Sequence, residues 1–117
     1  EGLYGPCQWF DDGTDDPVDG PNSEWFTHCY RDANGTEPPY PAAAAFAAGV
    51  VWQRCVKEAG TVESLPVRAA SQRLDTTTLF GRFRVDSVTG VQTGHQIRVV
   101  QWRGGQRGLV DRPPRRT

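Results

Sequence analysis

Hydrophobic and polar positions divide the chain into an opening strand, three helices and a closing set of strands. Residues 1–10, EGLYGPCQWF, set aromatic side chains among two glycines and a proline, which predicts a short strand ending in a turn. From Asp11 to Pro21 aspartate, glycine and proline dominate, the composition of a surface loop. A short helix is predicted over Ser23 to Asn34. Asn22 or Ser23 can accept from the free amides of its first turn, and Trp25, Phe26, Cys29 and Tyr30 form one apolar face. Gly35 supplies a left-handed stop. Asn34-Gly35-Thr36 also fits a glycosylation sequon, but a helix cap explains the same residues.

Pro38-Pro39-Tyr40-Pro41 stiffens the entry to a second helix, PAAAAFAAGVVWQRCVKEAG. Up to Trp52 this helix is apolar on nearly all sides, so burial over most of its circumference is expected. Arg54 and Lys57 suit the negative end of its dipole, and Gly60 stops it. A third helix, Ser64 to Leu74, places Val67, Ala70 and Leu74 on one stripe, with Pro66 in its first turn. The period then changes. FGRFRVD alternates Phe83 and Val85 against Arg82 and Arg84, and Asp86 to Gly90 reads as a turn. QIRVVQW is apolar on both faces, Ile97 and Val99 against Val100 and Trp102, the pattern of a strand covered on two sides. Gly104-Gly105 breaks it, and a short strand through Leu109-Val110 follows.

A length of 117 residues suits one modest domain, and 37% hydrophobic with 23% charged residues is ordinary for a soluble globular protein. No run approaches the ~18 apolar residues of a membrane span. A net charge of -1 gives no reason to expect a nucleic-acid partner. The charge is unevenly placed. Nine of the fourteen acids lie in the first 37 residues, while the C-terminal third is cationic and ends in a tail, 111–117, that reads as solvated. Arginine outnumbers lysine twelve to one, which reads as genome composition, not function. The chain opens at Glu1 on residues that already read as a strand, so a removed leader or, preferably, a fragment of a longer protein is expected.

Candidate chemistry is thin. Cys7, Cys29 and Cys55 have none of the paired spacings of a zinc site. Cys55 shares a helical stripe with Val51, Ala48 and Ala59 and reads as a buried thiol. In an exported protein two cysteines could join, and Cys7–Cys29 is the preferred pair. The loop aspartates fail the calcium-loop pattern, since the third position from Asp11 is Gly13 and the twelfth is Asn22. His28 and Cys29 are helix neighbours whose side chains diverge, and His95 reads as a turn histidine. Gly104-Gly105-Gln106-Arg107-Gly108 follows a strand but opens no helix, so it is no phosphate cradle. No nucleophile–base pair stands out, and no enzyme, metal or cofactor is expected.

Four stretches carry a likeness to a known family. Pro39-Tyr40-Pro41-Ala42-Ala43-Ala44-Ala45-Phe46 is similar to a proline-aromatic-small run opening a long helix. Cys55-Val56-Lys57-Glu58-Ala59-Gly60 followed by Val67-Arg68-Ala69-Ala70 is similar to a helix pair. Thr78 to Asp86 with Thr89-Gly90 is similar to a strand and turn, and Val99-Val100-Gln101-Trp102 before Gly104-Gly105 to a terminal strand. In this order and over nearly the whole chain, they resemble the C-terminal portion of type I periplasmic solute-binding proteins, in the branch of leucine/isoleucine/valine and amide receptors. The opening Gly2 to Trp9 is similar to the family's strand entering this region.

The resemblance implies an α/β fold, part of a two-lobe Rossmann-like architecture in which three crossing strands let the lobes close on a solute. Residues 1–10 would be one crossing, 22–75 the helical part on the first lobe, and 79–110 the terminal strands. Residues 90–96 would cross again and carry QIRVVQW to the second lobe. It further implies an extracytoplasmic protein, exported or lipid-anchored, whose partners are an amino acid, amide or similar small polar solute, the importer's membrane subunits and the rest of the receptor chain. Tyr40 matches the family's aromatic at the cleft mouth, and Trp9 is a second candidate for solute contact; Trp25 and Trp102 are assigned to packing. The three cysteines and the long aspartate loop depart from the family pattern, which leaves the solute open. The alternatives are a cytoplasmic ligand-sensing regulator with the same fold and a small secreted interaction module.

Overall fold

A computed structural model describes residues 1–110; the tail 111–117 lies outside the described residues. The described residues form a mixed α/β arrangement of three helices and two small antiparallel sheets, in the order β1 (Tyr4–Cys7), α1 (Ser23–Asn34), α2 (Tyr40–Ala59), α3 (Ser64–Arg73), β2 (Thr76–Thr78), β3 (Gly81–Phe83), β4 (Arg98–Arg103) and β5 (Gln106–Leu109).

The helix ends follow local chemistry. Asn22 caps α1, its side chain accepting from the Trp25 amide at 2.9 Å, and Gly35 ends it in the left-handed region. Gly60 ends α2 in the same way, its N–H bonded to the Val56 carbonyl. Pro41 lies in the first turn of α2, where its missing amide costs nothing.

Two small cores lie along α2. Phe26, Ala43 and Leu79 form the first, with Trp9, Tyr30, Phe46 and Phe80 packed around them. Cys55, Ala70 and Leu74 form the second, against Val51, Val67 and Phe83. The buried residues Ala43, Ala47 and Cys55 follow one stripe at four-residue steps. The opposite side of α2 is open: Ala45, Ala48 and Gly49 are exposed and Trp52 is 55% exposed. Burial over most of the circumference is therefore not met, because the described residues supply neighbours for one face only.

β2 and β3 form a hairpin across Leu79-Phe80. The ribbon β1–β4–β5 is the second sheet, with β4 in the middle. Gly104 and Gly105 both have positive φ and turn β4 into β5 as a two-residue hairpin loop. The register places Cys7, Val100 and Leu109 on one face of the ribbon and Tyr4 and Val99 on the other. Val100 is buried, whereas Val99 and Ile97 are exposed. The strand predicted to be covered on both sides is covered on one.

Two stretches tie the ribbon to the helical body. The first, after β1, is the aspartate loop. The second, between β3 and β4, crosses at Gly94, where an added Cβ would stand 2.9 Å from the Arg84 amide nitrogen and 3.0 Å from the Arg82 carbonyl oxygen. Only glycine lets the two backbones approach this closely.

Candidate functional site

The aspartate loop after β1 is a bracket, not the solvated segment its composition suggested. Asp15 accepts from the Ser23 amide and hydroxyl. Buried Ser23 is in turn bonded by the Trp9 indole N–H at 3.1 Å, and that N–H also reaches the Leu79 carbonyl at 3.0 Å. Asp12 pairs with Arg98 of β4 at 3.1 Å. Asp19 pairs with Arg54 of α2 at 2.7 Å and accepts from the Thr76 hydroxyl. Burial opposes ionisation of Asp19, but the Thr76 hydroxyl and the Arg54 guanidinium outweigh it and hold the carboxyl below the usual carboxylate value. Among the described residues, no three His, Cys, Asp or Glu side chains converge as metal ligands.

This bracket sets the position of Trp9, and with it a cleft of about 560 Å³ between the turn after β1, α1 and the start of α2. Trp9 and Tyr40, both expected at a solute site, line the same cleft, and Cys7 lines it with them. Their roles differ. Trp9 has its polar edge engaged inward and its ring edge-on to Phe26, 6.0 Å between centroids, so it forms a wall held by packing. Tyr40 is 53% exposed, and among the described residues its hydroxyl has no hydrogen-bond partner. It is the side chain at the lip.

Residues not expected at a solute site complete the lining. Arg31 of α1 and Glu37 pair with each other, and Asp11 and Arg107 bring a second charge of each sign. Thr27, one residue past Phe26 on α1, is buried, and its hydroxyl has no hydrogen-bond partner among the described residues. A threonine interrupting the apolar pattern of α1 was the available signal for it.

The expected Cys7–Cys29 pairing is not formed: all three cysteines are free. Cys7 is buried and its thiol donates to the Trp9 carbonyl, while Cys29 is exposed on α1. The expected apolar face of α1 is correspondingly narrower, with Phe26 buried but Trp25 half exposed against Phe46. Cys55 is buried as expected, in line with Ala43 and Ala47 and not with Ala48, which is exposed, and burial pushes its thiol pKa up.

Two further concavities flank the cleft. A trough of about 830 Å³ separates the ribbon from the hairpin and contains His95, whose ring stacks on Phe80 at 4.6 Å and whose Nε2 lies 3.0 Å from the Gln8 side-chain oxygen. His95 is thus a seam residue between the two crossing stretches, not an exposed turn histidine. An apolar groove of about 570 Å³ runs between α2, α3 and the hairpin, bordered by Trp52 and Val62. Among the described residues, no helix is long and apolar enough to cross a membrane. Comparison with family models, curated proteins and solved structures returns no match.

Proposed function

We propose that this chain is the C-terminal portion of an extracytoplasmic solute-binding receptor serving an ABC-type importer, and that it captures a small polar solute without transforming it. The observation that carries the reading is apolar surface that the described residues do not cover. On the ribbon it comprises Tyr4, Ile97 and Val99, and around the end of α2 it comprises Trp52, Val62 and Leu65. The total accessible surface is 8345 Å², against roughly 6300 Å² for a compact monomer of this mass. The radius of gyration is 16.2 Å, against about 13 Å for a compact domain of this length.

The four stretches that resemble the receptor family coincide with the entry to α2, the α2–α3 pair, the β2–β3 hairpin with its turn, and β4. In this reading the helices belong to one lobe, and the ribbon continues the sheet of the other. The passages through residues 8–10 and through Gly94 are the crossings about which the lobes move. Solute in the Trp9–Tyr40 cleft favours the closed arrangement, and the importer's membrane subunits recognise that arrangement.

Titration calorimetry tests the reading. The chain in its complete protein is expected to give saturable heat with at least one amino acid, amide or urea. Absence of heat across such a panel would remove the proposal.

A further inference from the structure

We propose that Asn34 is an N-glycosylation site, its side-chain amide receiving one oligosaccharide from a polyprenyl diphosphate donor outside the cytoplasm. This rests on the extracytoplasmic part of the reading above, because such donors are used on exported chains.

Asn34-Gly35-Thr36 has the acceptor spacing, a carboxamide followed two residues later by a hydroxyl, with no proline between them. Gly35 ends α1 with a φ of 73°, and its N–H donates to the Arg31 carbonyl at 2.7 Å. That cap accounts for Gly35 alone. It makes no use of Thr36, whose hydroxyl has no hydrogen-bond partner among the described residues. Asn34 donates one amide hydrogen to the Tyr30 carbonyl at 3.1 Å, and a carboxamide has a second to give. Asp32 stands two residues before the acceptor, where bacterial transferases of this class also read a carboxylate. Its side chain is 75% exposed, and its contact with His28 is long, at 4.0 Å.

The surroundings suit an acceptor. Every residue from Arg31 to Glu37 is exposed, and none belongs to either core along α2. A helix end of this kind frays, so a short segment can enter an enzyme without opening the protein. Asn34 and Thr36 do not line the Trp9–Tyr40 cleft. Asn34 also precedes the start of α2, while Val62 and Leu65 lie past its other end, about 30 Å along the helix. A bulky hydrophilic glycan here stays in solvent and leaves that apolar surface clear.

In the transfer, the Asn34 amide nitrogen bonds to the anomeric carbon of the oligosaccharide. The bond from that carbon to the diphosphate oxygen breaks, and the polyprenyl diphosphate leaves with the electron pair. One amide proton passes to a base of the transferase, and no oxidant or reductant takes part.

The test is export of the complete protein in a bacterial host carrying an oligosaccharyl transferase and its polyprenyl diphosphate-linked oligosaccharide. Intact mass, peptide mapping and thermal unfolding are recorded for wild type, Asn34→Gln, Thr36→Ala, Thr36→Ser and Asp32→Ala. Wild type should gain the mass of one oligosaccharide, mapped to the peptide that contains Asn34. Asn34→Gln and Thr36→Ala should lose it, Asp32→Ala should lose most of it, and Thr36→Ser should keep it. Melting temperatures should stay close to wild type, because all three positions are exposed. Modification that persists in Asn34→Gln, Thr36→Ala or Asp32→Ala overturns the role given to that residue. If exported wild type carries no glycan, this inference is overturned, while solute binding by calorimetry decides the receptor reading separately. If the complete protein is not exported, the extracytoplasmic reading and this inference fall together.

Discussion

Trp9 shows how one side chain links local chemistry to the site. Its indole N–H serves two acceptors at once, the Ser23 hydroxyl and the Leu79 carbonyl, and so joins the turn after β1, the start of α1 and the β2–β3 turn. Trp9→Phe keeps the ring but removes the N–H that the Ser23 hydroxyl and the Leu79 carbonyl share, leaving that carbonyl only the Ser23 hydroxyl as donor. It is expected to cost about 1–3 kcal/mol in denaturant unfolding. Asp19 and Asp12 are held in the ionised form below their usual pKa, so their folded-state values lie under the unfolded ones. Their contribution to stability is therefore complete above about pH 5, where the unfolded carboxylates are also ionised, and is lost as pH falls through the folded values. Thermal melts should be level from neutral pH down to about pH 5 and then decline, with a shallower acid decline in Asp19→Asn. The cysteines give a third check. Iodoacetamide at neutral pH should modify exposed Cys29 quickly and spare Cys7 and Cys55 until the chain unfolds, as read by intact mass.

Most helices were legible in the sequence because each carries its own punctuation. Asn22 and Gly35 bracket α1, and Pro41 and Gly60 bracket α2. The strands were less so. β2 is the polar run Thr76–Thr78, whose β-branched residues favour a strand without any hydrophobic alternation to announce it. β5 begins at Gln106 because Gly104-Gly105 forms a two-residue hairpin loop, earlier than the apolar pair Leu109-Val110 suggested. Leu79, in the β2–β3 turn, fills the first core. Leu79→Ala is expected to cost about 2–5 kcal/mol, a large-to-small change in a packed site. Gly94→Ala should cost about 1–3 kcal/mol, because the added methyl meets backbone atoms that cannot rotate aside.

For the molecule as a whole, the hydrophobic pattern indicated faces that need partners but not which of them the chain itself supplies. Val100 is buried, and Val99, one residue away on the other face, is not. The site was half visible for a related reason. Tyr40 and Trp9 stood out as aromatics beside helix and strand ends. Thr27, Arg31 and Asp11 read as ordinary polar residues until folding set them around one cleft. The account turns on the open faces of α2 and β4 being interfaces for further polypeptide. The most direct measurement is fluorescence of a hydrophobic dye with the isolated 117-residue chain under native conditions, compared with the double variant Trp52→Lys, Val99→Lys. Strong enhancement with the wild-type chain, largely abolished by the two lysines while the circular dichroism is unchanged, is the predicted result. No enhancement from a natively folded wild-type chain would contradict it.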